Sequence, residues 1–152
     1  MTNLTRGRRN NNPFNIRRSR SRWLGLGVPF GLCRDKEFCQ FEEMEYGLRA
    51  GMLLISNYIR HHKQRSINGI IRRFAPSSEN NTDAYISFVV SSISNYLGDM
   101  SLVQVNNWLV LPGDKVFFAL CRAICIYESS YFVSVQELKN IWIRYELGTV
   151  RD

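Results

Sequence analysis

Apolar residues recur at helical spacing in four stretches of the chain. Leu48, Met52, Ile55 and Ile59 stand four, three and four apart, and so do Phe117, Cys121, Ile124 and Glu128, with a carboxylate ending the second stripe. Ile86, Val90, Ile93 and Leu97 form a third stripe, and Val135, Leu138, Trp142 and Tyr145 a fourth. Such spacing turns one face of a helix toward a core. Helix signals bound these stretches. Glu42, Glu43 and Glu45 lead the first and Arg60, His61, His62 and Lys63 end it, as the helix dipole favours. A short helix over 66–74 is stopped by Pro76. Asn81 or Thr82 caps the helix that ends before Gly98, Gly113 or Asp114 opens the next, and Ser134 with Glu137 makes a capping box for the last, which runs to Leu147. The pattern predicts a mainly α domain of about five helices. The linker 99–112 is weakly patterned, with a strand expected over Leu102 to Val105. Pro13, Gly25, Gly27, Pro29 and Gly31 break up the first forty residues into an irregular lobe, with short strands or a hairpin between Trp23 and Phe38.

Charge divides the chain further. Arg6, Arg8, Arg9, Arg17, Arg18, Arg20 and Arg22 lie within the first 22 residues, where there is no acid. Removing those seven from the 20 basic residues leaves 13, equal to the 13 acidic ones. The excess of +7 therefore belongs to the N-terminus, read as a basic arm over 1–22 ahead of one helical domain over 23–152. An arm of this kind is drawn to polyanions such as nucleic acid, anionic lipid or cell wall, or orders within an assembly. At 152 residues the chain suits a single core. Its longest apolar run, Val116 to Tyr127, is interrupted by Arg122 and falls short of the ~20 residues of a membrane span. The Asn- and Arg-rich start carries no apolar signal segment.

Cys33 and Cys39 are spaced C-x5-C, and Cys121 and Cys125 C-x3-C, neither of which is a usual zinc knuckle. The second pair falls within an apolar helix, where cysteine acts as a small hydrophobe. His61 and His62 read as helix-end residues rather than metal ligands, so no metal site is expected.

Two carboxylates stand out by position. Glu128 sits on a core-facing stripe at the negative end of a helix, and both features raise a carboxyl pKa, as a general acid requires. The bland alternative is a helix-end glutamate paired with Arg122 or Arg144. Glu45 is the rival acid/base candidate, but it lies at a positive helix end with Arg49 one turn on, which favours its ionised form. Glu79 is expected to tether its loop to the N–H groups of the helix after it. The run Asn10 to Ile16 can donate and accept toward sugar hydroxyls and acetamido groups, or simply form turns.

Three segments taken together resemble a family of phage structural proteins with muralytic members. Residues 8–17 (RRNNNPFNIR) resemble its R-x-N-N-P-G-N-I-R opening, and residues 41–50 (FEEMEYGLRA) its F-x(3)-E-x-G-I-R-A segment. Residues 70–89 (IIRRFAPSSENNTDAYISFV) resemble its I-I-x-R-W-A-P-x-x-E-N-x-T-x-x-Y-x-x-x-V segment, and residues 119–129 (ALCRAICIYES) more weakly its A-I-I-x-x-E-N-G stretch. The chain departs from the family at Phe14, where the family has glycine, and at Ser129-Ser130, where it has Asn-Gly.

The same segments resemble those of soluble lytic transglycosylases in rotated order. That resemblance implies a circularly permuted, lysozyme-like fold that cuts the glycan strand of peptidoglycan. Glu128 would be the acid/base, Tyr85 its neighbour, and Asn12, Asn15, Ile16 and Glu79 the substrate-binding residues. It implies no metal or organic cofactor. The partners implied are peptidoglycan and other virion proteins, with nucleic acid or a viral membrane reached through the arm. The place implied is the virion, the protein being made in the host cytoplasm and acting at the periplasm or cell wall. The alternative is a non-catalytic structural protein of the particle.

Overall fold

The computed structural model describes residues 4–27, 35–98 and 100–151. Its helices are α1 (Arg6–Arg9), α2 (Met44–His62), α3 (Ile67–Phe74), α4 (Thr82–Leu97), α5 (Leu102–Asn107), α6 (Lys115–Ser129) and α7 (Val135–Arg144). Among the described residues there is no strand, only isolated bridges such as Arg17 with Phe38 and Leu26 with Phe41. The protein is mainly helical. Cys33 and the turn signals at Pro29 and Gly31 lie outside the described residues. None of the helices described is long and apolar enough to cross a membrane.

Helix α6 is the axis of the fold. Val116 to Cys121 and Ala123 to Cys125 are all buried, so the helix is covered on nearly every side, and that explains its continuous apolar run. Helices α1, α2, α4 and α7 pack around it. The rings of Phe117, Phe118 and Trp142 meet edge-on or tilted at centroid distances of 5.0 to 5.7 Å and join α6 to α7. Cys121 and Cys125 are free and fully buried, and burial pushes both thiols up, away from the reactive thiolate.

The helix ends follow the capping chemistry of the sequence. Ser66, Asn81, Asp114 and Ser134 each accept from a backbone N–H in the first turn of the helix that follows. The Asp114 carboxylate also accepts from the Trp108 indole and the Leu111 N–H, so it pins the preceding loop to α6. Two expectations are corrected. The strand expected over Leu102 to Val105 is the helix α5, because Ser101 and Gln104 close a reciprocal capping box and Val105 is the buried anchor. The last helix ends at Arg144, before Leu147: Glu146 takes a φ of 53°, and the N–H groups of Glu146 and Leu147 return to Ile143 and Trp142 in a Schellman turn.

The N-terminus corrects a third. Residues 5–16 are part of the core rather than an arm. Phe14 is fully buried, and its ring lies where a Cβ on Gly51 of α2 would sit, so the small residue makes room for the large one. The backbone angles that favour glycine fall at Asn11 (φ 52°) and Asn15 (φ 51°), not at Phe14. Asparagine tolerates that region, and Phe14 therefore fits without strain. Asn12, fully buried, donates to the Ile16 and Cys39 carbonyls and accepts from the Ile16 N–H. Gly7 packs so closely on Ser129 that a side chain there would collide with it. Among the described N-terminal residues, Arg17 to Arg22 form the continuous exposed basic stretch.

Phe14→Ala should therefore cost about 3–5 kcal/mol, the usual loss for a buried phenylalanine. Thermal unfolding should show a drop of many degrees, and a shift within a degree or two would mean that the N-terminal loop is dispensable.

Candidate functional site

The C-terminal end of α6 meets the N-terminal loop. Ser130 takes a φ of 51°, ends the helix, and lets it stop against residues 5–15. The Ser129 hydroxyl donates to the Pro13 carbonyl at 2.9 Å, and the Thr5 hydroxyl donates to the Ser129 carbonyl at 2.6 Å. Asn15 Nδ2 donates to both the backbone oxygen of Glu128 (3.1 Å) and its carboxylate (3.0 Å). The turn at Asn15 and the end of α6 thereby fix the Glu128 side chain between them.

Glu128 faces a cleft of about 390 Å³. Asn15, Ile16 and Arg17 form one wall of it, and Glu79 and Asn80 from the loop between α3 and α4 form another. Trp23, Phe38, Tyr58 and Phe74 add aromatic surface. A concave site lined by rings with a few convergent polar groups is what a small or polymeric ligand needs. Burial raises the Glu128 carboxyl above the ordinary range, opposed by the bond from Asn15, by the Tyr85 hydroxyl and by the nearby positive charge of Arg17. Neither Arg122 nor Arg144 pairs with it. Arg122 lies over the Tyr96 ring and Arg144 binds Glu45.

Tyr85 lies behind Glu128 rather than in the cleft wall. It is 1 % exposed, its ring stacks on Tyr127 at 3.9 Å, and burial together with the Glu128 charge holds its hydroxyl protonated. That hydroxyl is electrostatically coupled to the carboxylate but completes no hydrogen bond of ordinary geometry. Asn12 is also misplaced by the sequence reading, since its amide is spent on bracing the loop that carries Asn15. Glu79 does not cap α4, a task taken by Asn81, while the Thr82 hydroxyl donates to the Ala75 carbonyl. Its carboxylate instead faces Arg17 at 3.7 Å across the cleft.

Glu45 lies elsewhere, on the face shared by α2 and α7. Its carboxylate accepts from the Tyr145 hydroxyl and from Arg144 at 3.0 Å, and these contacts hold it below the ordinary range against some burial. Its partner is Arg144, not Arg49, whose guanidinium sits over the Tyr145 ring. A satisfied, ionised carboxylate outside the cleft is a poor proton donor, and its candidacy ends there.

The arginines expected to bind polyanions divide by partner. Arg6 makes a two-pronged pair with Asp35, which is held well below the usual carboxylate range, and Arg17 lies between Glu37 and Glu79 against Phe38. Arg9 donates to the Leu4 carbonyl, Arg18 donates to that of Asp35, and Arg8 is half-buried. Arg20 and Arg22 are exposed. Among the described residues no cluster of His, Cys, Asp and Glu is arranged to hold a metal. The aromatic walls of the cleft were missed because Trp23, Phe38, Tyr58 and Phe74 share no period and come from four parts of the chain.

Fold and cleft together describe a small helical protein with one partly desolvated carboxylate in an aromatic groove, and its likeness is to a bacteriophage protein. Over 89 residues, 57% of this chain, it is 39% identical to Protein P5 of Pseudoalteromonas phage PM2. That stretch spans 54% of the relative, so the chain covers about half the length of the curated protein it matches. No protein-family model matches.

The raised Glu128 carboxyl has a consequence for stability. A carboxyl whose folded pKa exceeds its unfolded one favours folding while protonated, and that contribution is lost as pH rises from about 4 through the folded value. Glu128→Gln keeps an acceptor for Asn15 and carries no charge. The variant should match wild type in thermal stability at about pH 4 and equal or exceed it at neutral pH. A variant markedly less stable than wild type at neutral pH would show that the ionised carboxylate is stabilised by its surroundings.

Proposed function

We propose that the protein is a virion-associated enzyme of a bacteriophage that cleaves the glycan strand of peptidoglycan, by a lytic transglycosylase or lysozyme type of reaction. The observation that carries the reading is the cleft, where a desolvated Glu128 at a helix end faces aromatic surface and a fixed asparagine. Sugar rings offer flat C–H faces to aromatic side chains. Asn15 and Trp23, which line this cleft, each hold one buried polar atom without a protein partner, Oδ1 and Nε1.

In this reading the protonated Glu128 gives its proton to the glycosidic oxygen as the C–O bond breaks. The resulting carboxylate then takes the proton of the sugar's own 6-hydroxyl, whose oxygen closes on the anomeric carbon to give an anhydro end. With water in place of that hydroxyl, the product is hydrolytic. Asn15 holds the carboxylate in register, and the neutral Tyr85 hydroxyl behind it favours the carboxylate that proton donation leaves. Asn15, Ile16 and Glu79 contact the strand. Delivery to the cell wall by the phage particle fits the likeness to a phage protein.

A second reading, a non-catalytic structural protein of the particle, is favoured by one observation. Arg20 and Arg22 stand exposed beside the cleft residues Ser19 and Ser21, as a contact to a neighbouring subunit, nucleic acid or a membrane would require.

Purified peptidoglycan in a zymogram separates the two. Wild type should clear it, Glu128→Gln should lose about 10²-fold or more of the rate, and Glu45→Gln should retain most of it. Activity should fall as pH rises through the raised pKa of Glu128, since the acid form is the reactive one. Wild type that clears nothing, or Glu128→Gln that clears as well as wild type, would overturn the enzyme reading.

A further inference from the structure

Beyond α5 the chain alternates in burial. Val110 is fully buried and its N–H donates to the Arg65 carbonyl at 2.8 Å, while Leu109 and Leu111 on either side of it are 66 % and 44 % exposed. Leu102 and Val103, at the start of α5, are exposed too. Of the twelve large hydrophobic residues left exposed among the described residues, four fall between 102 and 111, so apolar surface is concentrated in this segment. The loop that carries the two leucines is braced. Trp108, half-buried, donates from its indole to Asp114 at 2.9 Å, and the same carboxylate accepts from the Leu111 N–H at 2.9 Å.

The same end of the molecule gathers cations. Lys115 Nζ lies 5.5 Å from the centre of the Trp108 ring. Arg65 supplies the carbonyl that Val110 binds, and Lys63 stands two residues before it, where α2 ends in a left-handed turn. Arg60, in the last turn of α2, lies so near Gly148 that a Cβ there would come within 2.8 Å of its guanidinium, and the oxygen of the next residue, Thr149, packs on Gly113 just beyond the leucines. Arg60, Lys63, Arg65 and Lys115 are all exposed, and among the described residues none of them pairs with a carboxylate. Arg6 and Arg17, by contrast, are both held by acids. Asp114 is buried and its oxygens are engaged, which leaves Glu146, after α7, as the exposed acid in this part of the described chain. This end is therefore positive around an apolar tip.

We infer that this end of the protein docks on the surface of a lipid bilayer with anionic headgroups, Leu109 and Leu111 entering the boundary between headgroups and acyl chains while Arg60, Lys63, Arg65 and Lys115 meet the phosphates. The inference stands apart from the reading of the cleft, whose residues it does not use. Charge complementarity and aliphatic surface together select the occupant. A negative bilayer surface attracts clustered lysine and arginine, and apolar side chains beside them gain by leaving water. Nucleic acid would match the cations, but its phosphate backbone offers leucine side chains nothing to bury against. The bracing of the loop also suits a bilayer, because the N–H groups of Val110 and Leu111 already have partners and need none from lipid. Docking on the surface, rather than spanning, agrees with helices that are too short or too polar to cross.

Co-sedimentation of the full chain with vesicles tests the inference. Wild type should bind vesicles of phosphatidylglycerol and phosphatidylcholine in equal parts, and bind phosphatidylcholine alone much less. Leu109→Ser with Leu111→Ser should weaken binding about tenfold or more, the scale of returning two leucines to water. Both positions are exposed, so the thermal unfolding temperature should stay near that of wild type, and Leu109→Ser alone should give part of the loss. Arg65→Ala and Lys115→Ala should each cost about fivefold, and less at high salt. Arg20→Ala with Arg22→Ala separates this surface from the N-terminal basic stretch and should leave the effect of the leucine variants intact. Wild type that ignores the mixed vesicles would overturn the inference, as would a preference for a DNA duplex over them. So would a folded leucine double variant that binds the vesicles as well as wild type, or binding that depends on Arg20 and Arg22 alone.

Discussion

The contact on which the rest of the structure depends is the seating of the end of α6 in the N-terminal loop. Thr5, Pro13 and Asn15 reach residues more than a hundred positions away, at Glu128 and Ser129, through four hydrogen bonds. Each bond is modest alone, about 1 kcal/mol net, but they satisfy polar groups that the joint itself takes out of water. The joint requires Gly7, since any side chain there would strike Ser129. It also requires the left-handed turn at Ser130, without which the helix would run on past the loop. Phe14 against Gly51 then carries the seating through to α2, so one loop ties the first and last thirds of the chain to the same core.

That seating places Glu128 under opposing demands. Burial works against its charge, whereas the Asn15 amide and the positive charge of Arg17 favour it. Burial prevails, and the carboxyl stays readier to hold a proton than an exposed glutamate would be. Glu45 shows the contrary outcome within the same molecule. It too lies on an apolar stripe, but Tyr145 and Arg144 come close enough to outweigh desolvation, and it ionises more readily than usual. Partner supply, rather than helix position alone, separates the two carboxylates.

Charge is distributed by the same logic. The seven N-terminal arginines look alike in the sequence, yet Arg6 and Arg17 are held by carboxylates brought from residues 35–37 and 79. Asp35 shows how firmly: it accepts from Arg6, from the Asn10 amide and from the backbone of Glu37 and Phe38, all within a buried site. Arg20 and Arg22 stand exposed at the edge of the cleft.

The helices and most of their ends could be read from sequence because they are set locally. Stripes at 3.6-residue spacing and caps such as Ser66, Asp114 and Ser134 act over a turn or two. Even α5, read as a strand, carried its capping box at Ser101 and Gln104 in plain view. Glu128 was also legible, since its place on a stripe at a helix end is a local fact. What tertiary structure alone decided was which side chains meet it. Asn15 turned out to hold the carboxylate while Asn12, three positions earlier, braces the loop, a difference made by a φ of 51° and by which carbonyls lie across the gap. The loop was taken for part of an arm because seven arginines dominate its composition. Burial of Phe14 depends on an opening left by Gly51 on another helix, and no local pattern records that opening. Periodicity fixes which face of a helix is buried; the packing of distant segments fixes what that face is buried against.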